Sequence, residues 1–78
     1  MRGSVASLHS APYKRFLREI KAMRMEARLT QNQLAKKLRQ SQTYVSKSES
    51  GERRLDLVEW LAFCKACRQN PKEFLDRL

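Results

Sequence analysis

A run of polar side chains in the middle of the chain has the residue types that hydrogen-bond to nucleic-acid bases. These residues are Gln42, Thr43, Ser46 and Lys47. If the segment is a helix with Val45 facing inward, a turn of about 100° per residue places Thr43, Ser46 and Lys47 outward. Gln42 then lies at the exposed N-terminal tip. Amide, hydroxyl and ammonium groups bond base edges and phosphates but are poor core material, so this face is a candidate nucleic-acid surface.

Residues suited to catalysis or metal binding are few and dispersed. Cys64 and Cys67 have the spacing of a redox dithiol or half a zinc site, but zinc takes four ligands and only His9 remains as a third candidate. Both cysteines fall on the apolar face of a predicted helix, so we interpret them as small buried hydrophobic residues. The acidic residues are scattered among bases, and no glycine-rich phosphate loop occurs. We therefore predict no enzyme, no cofactor and no metal.

The charge of the chain also favours a polyanionic partner. Its 78 residues carry 17 Lys and Arg against 8 Asp and Glu, a net charge of +9. All of this excess lies in residues 1–54, and residues 55–78 are neutral. Neutralised phosphates release counterions, which supplies most nonspecific affinity for nucleic acid. The length fits one domain, and because no apolar run is long enough to span a membrane, we expect a cytoplasmic protein that does not bind membranes.

Apolar periodicity and capping residues predict five helices. Residues 1–10 show no periodicity and are expected to form a flexible leader before a domain at 11–78. The first helix is predicted at about 12–27, with Tyr13, Phe16, Leu17, Ile20, Met23 and Ala27 on its apolar face. Thr30 with Gln33 forms a capping box for a second helix at 31–38. Ser41 caps a third at about 42–49, which Gly51 ends.

The last two helices complete an all-α bundle. Asp56 with Glu59 forms a capping box for a fourth helix at about 57–68. Its buried face is predicted to consist of Leu57, Trp60, Leu61, Cys64 and Cys67, with Phe63 at the margin. Asn70 before Pro71 begins a short fifth helix with Phe74, Leu75 and Leu78 as its apolar residues. Helices two and three, both short and closely joined, have the arrangement of a helix-turn-helix.

Two stretches of the chain combine particular residue types at fixed spacings. The first is Leu29-Thr30-Gln31, Leu34-Ala35 and Leu38; the second is Ser41-Gln42, Val45-Ser46-Lys47, Glu49 and Gly51-Glu52-Arg53-Arg54. Together they resemble the Cro/repressor-type (XRE-like) helix-turn-helix family of bacterial and phage DNA-binding proteins. The likeness continues to Phe74 and covers about residues 13–78. It implies a compact five-helix bundle of the phage-repressor-like type.

The resemblance also implies a role for each matching residue. Gln42 and Thr43 would read bases in the major groove, and Ser46 and Lys47 would read or clamp further along. The DNA backbone would be bound by Gln31, Ser41, Tyr44, Arg53 and Arg54. Arg39, which departs from the family pattern, could add a further phosphate contact. Two alternatives stay open: Lys47 as a purely phosphate contact, and Tyr44 as a shield for the edge of the core. Glu49 matches a position that makes structural polar bonds.

The chain departs from the family pattern at three places. Arg39-Gln40 and Arg68-Gln69 stand where glycine and an apolar residue usually end helices two and four. A residue other than glycine costs about 1 kcal/mol in the left-handed conformation, so these ends are expected to be adjusted or strained. Ser48 replaces a larger apolar residue beneath the third helix. Its hydroxyl needs a partner, for which a backbone carbonyl one turn back is a candidate.

The sequence thus predicts a repressor-like, sequence-specific regulator that binds double-stranded DNA. The family favours a homodimer on a palindromic operator. Phe74, Leu75 and Leu78 are the least committed apolar residues and could either form the dimer contact or cap the core. The main alternative is a protein-interaction module, such as the antitoxin of a toxin–antitoxin pair, that binds a partner protein as well as DNA.

Overall fold

Five helices make up the part of the chain that the computed structural model describes, residues 10–78, and no strand occurs there. Their bounds are α1 Ala11–Glu26, α2 Gln31–Leu38, α3 Gln42–Ser50, α4 Leu57–Ala66 and α5 Pro71–Asp76. The all-α prediction is confirmed, and each predicted helix is present with ends shifted by at most two residues. The predicted leader, apart from Ser10, lies outside the described residues, as does His9.

Each helix begins at a side-chain oxygen that accepts a hydrogen bond from a backbone amide in the first turn. Ser10 Oγ accepts from Tyr13 N at 3.3 Å, and Ser41 Oγ accepts from Tyr44 N at 3.1 Å. Thr30 and Asp56 form the predicted capping boxes, and Asn70 caps α5. These bonds satisfy amides that the helices leave without partners, so the helix starts follow from local sequence.

Three helices end on an arginine in the left-handed conformation. Arg28, Arg39 and Arg68 have φ of 61°, 57° and 57°. The next amide in each case bonds back five residues, as in Gln40 N to Ala35 O at 2.9 Å, which satisfies a carbonyl at the helix end. Left-handed backbone at Arg39 and Arg68 was expected from the missing glycines. Arg28 adopts it too, which the sequence pattern did not indicate.

Gly51 ends α3 for a steric reason as well as a conformational one. Its φ is 89°, a conformation that side chains rarely adopt. A Cβ at this position would also lie 3.0 Å from Leu17 Cδ1 on α1. The turn after α3 therefore packs closely against α1, and it directs the following loop across the same side of the bundle.

The core lies between α1 and the other helices. Its fully buried large side chains include Ile20, Met23, Leu34, Val45, Phe63 and Phe74. Ser48 is also fully buried, and its Oγ donates to Tyr44 O at 2.7 Å, which confirms the predicted bond to the preceding turn. Cys64 and Cys67 are buried free thiols, as interpreted from their apolar face.

The predicted face of α4 was wrong in part. Leu57 and Leu61 were expected inside but are 66% and 41% exposed, whereas Phe63 is fully buried. The helix has two overlapping apolar stripes, and the observed rotation buries Trp60 and Phe63. Aromatic rings bury more apolar area than leucine side chains, so this rotation is favoured. It leaves an apolar strip of Leu57, Val58 and Leu61 on the surface.

Phe74, Leu75 and Leu78 were predicted either to cap the core or to form the dimer contact, and the structure separates Phe74 from the other two. Phe74 is fully buried, with its ring edge-on to Phe16 and Trp60 at centroid distances of 5.7 and 5.4 Å. Phe74 therefore caps the core and is not available as a dimer contact, because its ring completes an aromatic cluster. Leu75 and Leu78 are 55% and 42% exposed. None of the described helices is both long and apolar enough to cross a membrane.

Candidate nucleic-acid interface

The starts of α2 and α3 lie side by side and are joined through their first residues. Gln42 Nε2 donates to Gln31 Oε1 at 2.7 Å. Both residues occupy the first position of their helices, where backbone amides and the positive end of the helix dipole favour an anion such as a phosphate. The bond therefore sets the position of the α3 tip relative to that of α2.

A buried ion pair supports this junction from beneath. Arg24 donates from Nε to Glu49 Oε2 at 2.5 Å and from Nη2 to Oε1 at 3.1 Å, so the pair is bidentate. Nη1 donates to Leu29 O at 2.9 Å, and Glu49 Oε1 accepts from Gln31 Nε2 at 3.1 Å. The side chains of Arg24 and Glu49 are only 11% and 5% exposed. A continuous chain of bonds therefore runs from α1 through α3 and α2 to Gln42.

The predicted reading face is open. Gln42, Thr43 and Lys47 are exposed, and Ser46 is half-buried on the same side of α3. Gln42 uses one amide hydrogen on Gln31, which leaves its carbonyl oxygen and second hydrogen for another partner. Ser41 is exposed, but its hydroxyl caps the helix. The structure thus brings the four predicted base-reading residues onto one accessible surface.

Tyr44 and Arg53 form a second cluster at the border of this face. The Arg53 guanidinium carbon lies 4.3 Å from the centroid of the Tyr44 ring. Arg53 also forms an ion pair with Glu59 at the start of α4, and its backbone amide donates to Lys47 O at 3.0 Å. Tyr44 itself packs on Phe63 with ring centroids 6.2 Å apart. Tyr44 therefore shields the core edge, which leaves the proposed contact of this ring with DNA untested.

The electrostatics of this cluster follow from the Arg53 pairing. The hydrogen bond from Arg53 lowers the pKa of the Glu59 carboxyl, and the same bond raises the pKa of Arg53. Desolvation is the main cause that raises the pKa of Tyr44. Glu59 therefore stays ionised and holds the Arg53 guanidinium against the ring rather than leaving it extended toward solvent.

The other two predicted backbone-binding arginines lie apart from this cluster. Arg54 stacks its guanidinium carbon 4.6 Å from the centroid of the Tyr13 ring on α1. Arg39, exposed at the end of α2, lines a groove with Lys65 and Arg68 of α4. The arginines predicted to bind the DNA backbone thus do not form one cluster.

Two residues of this interface were missed from the sequence. Arg24 falls near the apolar stripe of α1 and was grouped with no function, and Glu59 was assigned only as a helix cap. Arg24 acts through Glu49 on another helix, 25 residues away, and Glu59 acts through Arg53 in the loop before α4, 6 residues away. The one available signal was a basic residue interrupting the apolar face of α1, which implies a buried acidic partner.

Comparison with known proteins agrees with this geometry. A family described as "Helix-turn-helix domain" matches residues 15–78. A solved structure described as an XRE-family like protein from Pseudomonas syringae pv. tomato str. DC3000 is 34% identical, with a TM-score of 0.85, over 97% of this chain and 93% of that one. No curated protein matches the chain. The chain therefore belongs to the XRE-like helix-turn-helix family, and its general class is that of a DNA-binding regulator.

Proposed function

We propose that this protein is a sequence-specific, repressor-like transcriptional regulator that inserts α3 into the major groove of double-stranded DNA. The observation that carries the proposal is the bonded chain from Arg24 to Gln42, which holds the tip of α3 while Gln42 and Thr43 stay exposed. A glutamine amide can form two bonds to an adenine edge, and a threonine can bond a base or contact a thymine methyl. A fixed helix with a free polar face suits this reading.

Contacts to phosphates would position α3 without specifying sequence. Arg53 and Arg54 follow α3 directly, and Arg39 precedes it, so their charges flank the reading face. Gln31, Ser41 and Tyr44 would add hydrogen-bond donors along the same track. Lys47, exposed and flexible, could bond either a base or a phosphate. The net charge of +9 then steers the protein to DNA in the bacterial cytoplasm.

A homodimer on a palindromic operator would place two copies of α3 about 34 Å apart on one side of the duplex. The exposed leucines of α4 and α5 support a pairing surface. Leu57 and Leu75 line an apolar groove of about 270 Å³ with Trp60, and Leu78 lies nearby in sequence. The Trp60 indole N–H is buried and has no acceptor among the described residues.

Selection from a random pool of duplexes tests the proposal directly. The parent protein should enrich a motif with two related half-sites. Changing Gln42 and Thr43 together to alanine should remove discrimination between this motif and random DNA, at about 1–3 kcal/mol for each good base contact. A Lys72→Ala variant, altered on exposed α5, should keep the discrimination. Enrichment of no motif at moderate salt would refute sequence-specific binding.

The pairing surface has its own test. Leu75→Arg places a charge in the apolar groove and should reduce the cooperativity of binding to the selected palindrome and the mass of the complex measured by sedimentation. Met25→Arg, on α1, is the matched control because Met25 is also an exposed apolar residue, at 60%. Equal behaviour of the two variants would place the dimer contact elsewhere.

A protein-partner role, as in an antitoxin, is the second candidate function. The observation that favours it is a basic groove between the ends of α2 and α4, to which α4 contributes cations that lie outside the helix-turn-helix. This role would accompany DNA binding rather than replace it.

A further inference from the structure

A groove at the C-terminal end of α2 carries a concentrated positive charge. It has a volume of about 500 Å³ and lies between the C-terminal ends of α2 and α4. Four of its seven lining residues are cations, and none is acidic: Lys37, Arg39, Lys65 and Arg68. Within the described residues, none of these four side chains forms an ion pair or hydrogen bond, so their charges are uncompensated.

The lining of this groove is also partly apolar. Leu38, Ala62 and Ala66 line it together with the cations. A second cavity of about 390 Å³ shares Lys37, Ala66 and Arg68 with it. This cavity is also lined by Ala27 and Leu29, which follow α1, and by Cys67, which follows α4. The two cavities form one basic trough, defined by these lining residues, that crosses the ends of three helices. A trough lined by both cations and apolar side chains suits an extended peptide.

We propose that the basic trough binds an acidic peptide segment of a partner protein, one with several carboxylates and at least one aliphatic side chain. Carboxylates would pair with the four cations, and the aliphatic side chain would pack on the apolar lining residues Leu38, Ala62 and Ala66. This goes beyond the proposed recognition of DNA, because α4 supplies half of the charges and contributes no base-reading residue.

Two observations favour a peptide over a second track of DNA phosphates. A phosphate contact requires only charge and hydrogen-bond donors, whereas the lining of this trough is also partly apolar. The trough also extends away from α3 to the end of α4, where Lys65, Ala66 and Arg68 line it. A concave surface with apolar anchoring points and a polar rim is typical of peptide recognition.

Two of the four cations also have a structural role at the helix ends. Lys37 and Lys65 lie in the last turns of α2 and α4, where positive charge complements the helix dipole. That role accounts for one cation at each helix end. Interaction with the helix dipole does not explain why the left-handed positions beside these lysines hold Arg39 and Arg68, since glycine would adopt that conformation without strain.

Nuclear magnetic resonance of the full chain tests the proposal. The probe is a synthetic peptide of glutamates with two leucines, about ten residues long. We expect it to shift the amide resonances of Ala62 and Ala66 on α4, whereas a DNA duplex shifts those of Gln42 and Thr43. A peptide of the same length with lysine in place of each glutamate, and an all-glutamate peptide, should bind weakly, which shows that both charge and aliphatic groups are needed.

A charge-neutral variant gives the second measurement. Lys37→Gln with Lys65→Gln should weaken peptide binding about fivefold and leave DNA affinity within twofold of Lys21→Gln with Lys72→Gln, the matched control with the same loss of charge on exposed positions. Thermal unfolding confirms that both pairs fold.

Three outcomes would overturn the proposal. The first is that the peptide shifts no trough amide. The second is that its shifts fall on the start of α3, which would make it a mimic of DNA. The third is that DNA shifts the trough amides and the trough variant loses DNA affinity in parallel with peptide affinity. Because DNA binding is measured separately in each case, failure here leaves the proposed recognition of DNA intact.

Discussion

The buried pair of Arg24 and Glu49 gives the sharpest test of how the tip of α3 is held. Arg24→Met keeps an unbranched side chain but removes three guanidinium hydrogen bonds. Glu49 is left with a carboxylate that is 5% exposed and has the Gln31 amide as its remaining partner. Leaving a buried charge unpaired in this way costs about 3–5 kcal/mol.

That cost is large relative to the stability of a domain this small. At about 0.05–0.15 kcal/mol per residue, the free energy of unfolding is about 4–12 kcal/mol. Each kcal/mol moves the midpoint of thermal unfolding by about 4–8 °C, so Arg24→Met should lower it by about 12 °C or more. Fluorescence of Trp60, the single tryptophan and 7% exposed, reports the transition.

A double variant separates stability from the positioning of α3. Arg24→Met with Glu49→Leu removes both charges, and because an apolar pair in a buried site is often as stable as an ion pair, most of the lost stability should return. The bond from Gln31 to Glu49 is still lost, so specific DNA affinity should fall about tenfold. The reasoning is refuted if Arg24→Met costs less than about 1 kcal/mol, or if the double variant is no more stable than the single one.

Three further predictions concern the helix ends, the Arg53 cluster and the thiols. Arg39→Gly should raise the free energy of unfolding by about 0.5–1 kcal/mol, because relief of left-handed strain exceeds the added entropy of the unfolded chain; a lower urea midpoint would contradict this. Glu59→Gln should release Arg53 and strengthen binding to all DNA sequences, with a steeper dependence on salt; unchanged affinity in a salt titration would show that Arg53 is not a phosphate contact. In the parent, the lowered pKa of Glu59 contributes stability that is complete above 4.5 and is lost as pH falls through the folded value, a loss that Glu59→Gln should not show in acid unfolding curves. Burial raises the pKa of Cys64 and Cys67 from 9.0 to about 11, so stability should fall as pH rises from 9 through 11, and a double alanine variant whose alkaline unfolding retains the same slope would contradict that cause.

Features that depend on neighbours along the chain could be predicted from the sequence. The caps at Ser10, Thr30, Ser41, Asp56 and Asn70 are bonds across two or three residues, so residue type and spacing determine them. The left-handed ends at Arg39 and Arg68 and the bond of Ser48 to the preceding turn are local in the same sense. The outward face of α3 followed from helical periodicity alone.

Features that depend on contact between helices could not be predicted. The sequence offered two apolar stripes on α4, and only packing showed that Phe63 turns inward while Leu57 and Leu61 face solvent. Phe74 likewise lies in the core rather than on the candidate dimer surface, because aromatic rings from two other helices enclose it. Periodicity describes one helix at a time, so it cannot choose between faces of similar hydrophobicity.

The sequence by itself determined that this protein is a basic, five-helix domain with a polar reading face on its third helix, because charge, capping and periodicity are properties of residue type and spacing. The tertiary structure alone decided what holds and surrounds that face. It joined Arg24 to Gln42 through Glu49 and Gln31, paired Arg53 with Glu59, and gathered four cations into the basic trough. Each of these requires side chains from different elements of the fold, helices or the loop after α3, to meet, and the packing of the core sets those distances.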